Sequence, residues 1–123
     1  MYKNMVEIAL KRVYEEASPL DGYRILVDRL WPRGISKEKA QFHEWNKAMA
    51  PSTELRKWFN HEPEKWEIFC KKYVEELKSN HIATLFWEQH QNKEKITLLY
   101  ATKDPKYYHP LVLREYLEDE KFK

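Results

Sequence analysis

The 123-residue chain is 42% hydrophobic and 15% aromatic, which excludes a disordered segment and supports one modest core in a single domain spanning 1–123. Charged residues make up 34% of it yet balance to +2, which argues against a general polyanion binder and leaves room for a local positive cleft. One cysteine, Cys70, excludes an intrachain disulfide and a multi-cysteine metal site, and two glycines exclude a glycine-rich phosphate loop or dinucleotide fingerprint.

The segment from Met1 to Met5 has no apolar stretch of signal-peptide length. No apolar run approaches the roughly 20 residues of a membrane span, so a cytoplasmic protein without membrane contact is expected. Alternating Val6, Ile8, Leu10 and Val13 predict a first strand within Met5 to Tyr14, and Ser18 to Gly22 is turn chemistry. Tyr23 to Arg29 reads as a second strand whose unbroken Ile25-Leu26-Val27 centre implies burial on both faces. Ser36 caps a short helix over Lys37 to Ala40, and Phe42 to Trp45 reads as a third, weaker strand. Ser52 caps a helix running to about Phe59. Pro63 opens the next helix, with Trp66, Phe69, Cys70, Tyr73, Val74 and Leu77 on one face, and His81 to Gln91 forms another. Ile96 to Ala101 is a second buried strand, and Pro110 starts a last helix with Leu113, Tyr116 and Leu117 inward. Strands separated by helices give an α/β domain: a mostly parallel sheet of three to four strands flanked by about five helices.

Two strands end in chemistry. The first delivers Asp28, Arg29, Trp31 and Arg33; the last delivers Thr102, Lys103, Asp104 and then His109. Ligands of open α/β sheets gather outside the carboxyl ends of the strands, so adjacent placement of these two would open both loops onto one cleft. Arg29 and Arg33 offer planar donor forks for phosphate or carboxylate, with Trp31 between them as a stacking face; internal pairing of Arg29 with Asp28 or Glu54 is the alternative. Ser52, at a helix start, and Arg56, one turn on, would hold an anion, although N-capping alone accounts for Ser52. Lys103 and His61 complete the binding set. Asp28 and Asp104 are carboxylates suited to general acid–base work or to structural pairing. His109 sits at the N-terminal edge of a helix, where the dipole keeps an imidazole neutral and fit to act as a base. The five histidines show no metal-ligand spacing, so neither metal nor cofactor is expected. Cys70 falls in an apolar stripe and reads as a small core residue.

Three segments together carry a family resemblance: Leu26 to Gly34, Ala50 to Phe59 with His61 and Pro63, and Leu98 to Asp104 with His109. They resemble the YeaO-like branch of domain-of-unknown-function family 488, from Lys11 to Leu117. The resemblance implies a compact α/β fold and a bacterial or archaeal cytoplasmic protein; it carries no established activity. Longer relatives place a cysteine before the histidine, where this chain has Tyr108 before His109, so thiol chemistry does not transfer.

Three functional readings follow. First comes an enzyme, hydrolase or transferase, acting on a small anionic substrate, nucleotide-like or phosphorylated, with His109, Asp28 and Asp104 as acid–base groups. Second comes a non-catalytic anion or metabolite sensor using the same arginines. Third, and disfavoured for want of a helix-turn-helix with a basic face, comes a nucleic-acid-associated regulator. Five tryptophans in so short a chain leave aromatic surface for a homodimer.

Overall fold

Apolar runs alternating with amphipathic segments set the order of elements. In a computed structural model, which describes residues 6–120, the chain runs β1 (Glu7–Arg12), β2 (Tyr23–Leu26), α1 (Lys37–Ala40), β3 (Glu44–Trp45), α2 (Thr53–Phe59), α3 (Trp66–Ser79), α4 (Ile82–His90), β4 (Lys95–Tyr100) and α5 (His109–Asp119). One sheet holds the four strands in the order β1-β4-β2-β3, every pairing parallel. The expected α/β class, parallel sheet and helix number are all observed. The first strand is shorter than Met5 to Tyr14, and Met5 lies outside the described residues. The second strand ends at Leu26, though Val27 still donates to the Leu99 carbonyl at 3.0 Å, and the third contracts to Glu44–Trp45.

The sheet is covered unequally. Ile25, Val27, Ile96 and Leu98 point into the main core with apolar residues of α2, α3, α4 and α5. Their neighbours Leu26 and Leu99 point the other way, against Val13 and Ala40 of α1. That alternation is why Ile25-Leu26-Val27 is an unbroken apolar run and why β4 is apolar from Ile96 to Leu99 except at Thr97. The thin side also buries an ionic network: Asp21 takes Lys11 Nζ at 3.1 Å on both oxygens and Arg24 Nη1 at 2.5 Å, while Arg24 spends its other donors on the Ala40 and Gln41 carbonyls at 2.7 Å each.

Caps act as expected from sequence. Ser36 accepts the Lys39 amide and Ser52 the Leu55 amide, each with its side-chain oxygen. Pro63–Lys65 forms a 3-10 turn leading into α3 rather than its first α-helical turn. No helix among the described residues is long and apolar enough to cross a membrane.

Candidate functional site

Because β2 and β4 are neighbours and parallel, the loops leaving their carboxyl ends emerge side by side. Between those loops and the start of α5 lies a cleft of about 810 Å³. Asp28, Arg29, Trp31, Arg33, Arg56, His61, Lys103, Asp104 and His109 all line it. The one binding residue expected from sequence that does not line it is Ser52.

Ser52 is a correction, and its reason is visible. Glu76 of α3 places one carboxylate oxygen 2.9 Å from the Ser52 amide and the other 2.5 Å from its hydroxyl. The start of α2 is thus already occupied by an anion, one that belongs to the chain. Arg29 is a second, partial correction. Although it lines the cleft, its Nε donates to the Pro51 carbonyl at 3.0 Å and its Nη2 to the Ala50 carbonyl at 3.1 Å. It pairs with neither Asp28 nor Glu54; it fastens the β2 loop to the segment before α2.

Arg33 and Arg56 are exposed, as are Lys57, Lys103 and His61. Arg33 contributes only its backbone carbonyl to a hydrogen bond, from the Tyr14 hydroxyl at 2.7 Å. The following residue, Gly34, adopts φ 72°, which favours glycine. Trp31 is 38% exposed, with its indole N–H on the Ile35 carbonyl at 3.0 Å and its ring edge-on to Phe42 and Trp45. It is neither plugged into the core nor free-standing; one side forms part of the cleft wall.

Asp104 is used locally. Its Oδ1 accepts the amides of Lys106 and Tyr107 at 3.0 Å each, and these hydrogen bonds hold its carboxyl below the usual range. A carboxylate fixed in a turn and kept ionised is ill-suited to donate a proton.

Asp28 and His109 face each other. Asp28 Oδ2 accepts the Ala101 amide at 2.9 Å, and Oδ1 stands 3.4 Å from His109 Nε2. His109 Nε2 also lies 2.8 Å from the Val27 carbonyl, which can only accept, so Nε2 carries the proton and Nδ1 is left as an acceptor. Burial raises the Asp28 carboxyl to about 6, against the lowering influence of the Ala101 amide and Arg56. Burial likewise lowers His109 to about 4, against the Val27 carbonyl. His109 is the first residue of α5, as its place before Pro110 implied, and it is neutral near pH 7. Desolvation, rather than the helix dipole expected from sequence, is the largest cause of that neutrality.

Several residues that shape the cleft gave no functional signal in the sequence. Arg12 of β1 donates to the Ala101 and Thr102 carbonyls at 2.8 and 3.0 Å and so fixes the start of the β4 loop. Tyr73 of α3 donates to the Met49 carbonyl at 2.5 Å. Phe59, Trp66, Phe69 and Tyr107 form an aromatic wall. The last four were legible only as core or loop residues, because periodicity reports a buried face without saying which part of that face borders a void. Among the described residues, no group of three or more His, Cys, Asp or Glu side chains is placed to hold a metal ion.

These features define a class: small parallel α/β proteins whose two central strands open onto a cleft carrying more basic than acidic side chains. The chain belongs to the inactive DUF488-N3 subclade, whose model matches residues 7–123. It is 44% identical over 112 residues to the uncharacterised protein YeaO of Escherichia coli strain K12, covering 91% of this chain and 97% of YeaO. It is also 49% identical over 70 residues to the uncharacterised protein Rv3073c of Mycobacterium tuberculosis strain H37Rv. That match covers 57% of this chain and 59% of the relative. No solved structure matches the chain.

Proposed function

We propose that the cleft is a recognition site for a small anionic ligand, nucleotide-like or phosphorylated, and that the protein works as a non-catalytic binding module. The observation that carries this reading is the charge of the cleft: Arg29, Arg33, Arg56, Lys57 and Lys103 line it against only Asp28 and Asp104. Arg33 and Arg56 are exposed, and neither guanidinium is committed to an internal hydrogen bond or ion pair among the described residues. The aromatic wall suits a planar group attached to the anion. Two points support binding over catalysis. The family is described as inactive, and the Asp104 carboxylate is spent on its own turn.

The test is thermal unfolding with sulfate, inorganic phosphate and adenosine monophosphate. The melting temperature rises with ligand concentration, and Arg33→Ala or Arg56→Ala weakens each affinity about tenfold, the loss of one charge-assisted contact. Absence of stabilisation by any of the three anions at tens of millimolar would sink the reading.

A second reading, an enzyme on the same ligand class, is favoured by one observation: the Asp28–His109 pair. A carboxyl raised to about 6 beside a neutral imidazole is a pairing found where protons are moved. Turnover of a phosphorylated metabolite that disappears in His109→Ala would establish it; binding without turnover leaves the module. The regulator of nucleic acid has less support, since the basic groups converge on a cleft rather than on an extended face.

A further inference from the structure

Among the buried acids of this chain, Asp28 and Asp21 are treated differently. Both side chains are largely hidden, 15% and 10% exposed. Asp21 is compensated by Lys11 and Arg24, both within 3.1 Å. Asp28 has no lysine or arginine nitrogen within ion-pair distance among the described residues. Its Oδ2 holds the Ala101 amide. Its Oδ1 has only the long approach to His109 Nε2, whose proton is directed to Val27. The adjacent Arg29, the obvious partner, turns instead to the carbonyls of Ala50 and Pro51. Asp28 lines the cleft, so Oδ1 is open to a group arriving from outside, and a largely desolvated carboxylate gains most from a cationic one.

Resting on the anion-binding reading above, we propose that the ligand carries both signs of charge: an anionic group at the exposed Arg33, Arg56 and Lys103, and a protonated amine seated against Asp28 on the cleft floor. A plain anion satisfies the rim and leaves Asp28 uncompensated beneath it, adding repulsion. A zwitterion satisfies both, and its ammonium takes the open lone pairs of Oδ1. The groups that face Asp28 agree with this. His109 of α5 is neutral, Tyr73 of α3 keeps its proton because burial holds its hydroxyl well above the usual range, and Arg56 of α2 acts at a distance. None supplies a competing cation in contact. Because burial raises the Asp28 carboxyl, an ammonium binds it at the cost of a proton that Asp28 holds in acid, so the preference for the amine fades as pH falls through about 6.

The experiment compares phosphoethanolamine with ethyl phosphate, which shares the phosphate and lacks the amine, by titration calorimetry on the whole chain at pH 7.5. Phosphoethanolamine binds at least about tenfold more tightly, as one buried charge-assisted contact implies. With each constant referred to the phosphate dianion, whose fraction differs between the compounds because the ammonium lowers the second phosphate pKa of phosphoethanolamine, the ratio shrinks at pH 5. In Asp28→Asn the two constants become equal. Equal constants in the unmodified protein overturn the amine assignment while leaving the anion site standing, and failure of both compounds to bind removes the anion reading as well. The unmodified protein decides the matter even where the variant does not fold.

Discussion

His109 Nε2 and Asp28 Oδ1 stand 3.4 Å apart, but the His109 proton goes to the Val27 carbonyl at 2.8 Å. Two titratable groups, one from the β2 loop and one from the start of α5, are thus buried together without forming a strong ion pair. Each is pushed toward its uncharged form, and these pushes have opposite consequences for stability.

The pH dependence of folding follows. Burial raises the Asp28 carboxyl from its usual 3.8 to about 6, so folding takes up a proton in that window. Its stabilising contribution is present below pH 4 and lost as pH rises through 6. Burial lowers His109 from its usual 6.5 to about 4, so folding releases a proton there. That contribution is present above pH 6.5 and lost as pH falls through 4. Each shift corresponds to about 3 kcal/mol, and the two nearly cancel in the intact protein. Asp28→Asn therefore loses about 3 kcal/mol more than the parent between pH 6.5 and 4, and His109→Gln gains by a similar amount. Urea unfolding at a series of pH values measures both; profiles parallel to the parent would show that neither shift exists.

Glu76 holds the start of α2 from 24 residues away. Glu76→Ala leaves the Ser52 amide and hydroxyl without their partner and costs about 1–3 kcal/mol. Glu76→Gln retains part of this, because its side chain still offers one acceptor. Denaturant midpoints of the two variants are the measurement, and indistinguishable midpoints would contradict the assignment.

The two arginines of the β2 loop separate in the same way. Arg29→Ala gives up hydrogen bonds to Ala50 and Pro51 and lowers stability by about 2 kcal/mol. Arg33→Ala, whose side chain is exposed, changes the unliganded protein by less than about 0.5 kcal/mol. A stability loss in Arg33→Ala as large as in Arg29→Ala would make Arg33 structural.

Glycine is required at position 22 more than at position 34. Both have positive φ, 67° and 72°. A Cβ on Gly22 would lie 2.4 Å from the Lys95 carbonyl oxygen of β4, whereas one on Gly34 meets nothing within 4 Å. Gly34→Ala therefore costs about 1 kcal/mol of backbone strain, and Gly22→Ala exceeds that by at least about 2 kcal/mol because backbone must move. Thermal unfolding of the pair checks the order.

Much of the fold was legible in advance because local rules decide it. Ile25-Leu26-Val27 is apolar at every position and Ile96 to Leu99 at every position but Thr97, the pattern of strands buried on both faces, and both segments are central in the sheet. Ser36 and Ser52 each start a helix through their own hydroxyls, accepting the amide three residues on. The third strand was overextended because Phe42 is apolar for another reason, packing against Trp31 and Trp45. The site was legible as a place, since strand ends crowded with charge converge once β2 and β4 pair.

Which of those charged groups open onto the cleft was settled only in three dimensions. Local periodicity, caps and turn chemistry act over a few residues, and a sequence states them directly. The partner of a buried polar group is chosen by whatever the fold brings near, and here the distances along the chain are long. Ser52 meets Glu76, Arg29 meets Ala50 and Pro51, Asp28 meets Ala101 and His109, and Arg12 meets Thr102. Those pairings remove Ser52 from the cleft and bind Arg29 to the frame, while Arg33 and Arg56 stay exposed in the cleft and one oxygen of Asp28 lacks a strong partner. Hydrogen-bond satisfaction is a property of the packed whole, and it separated the groups that hold the cleft together from those that open onto it.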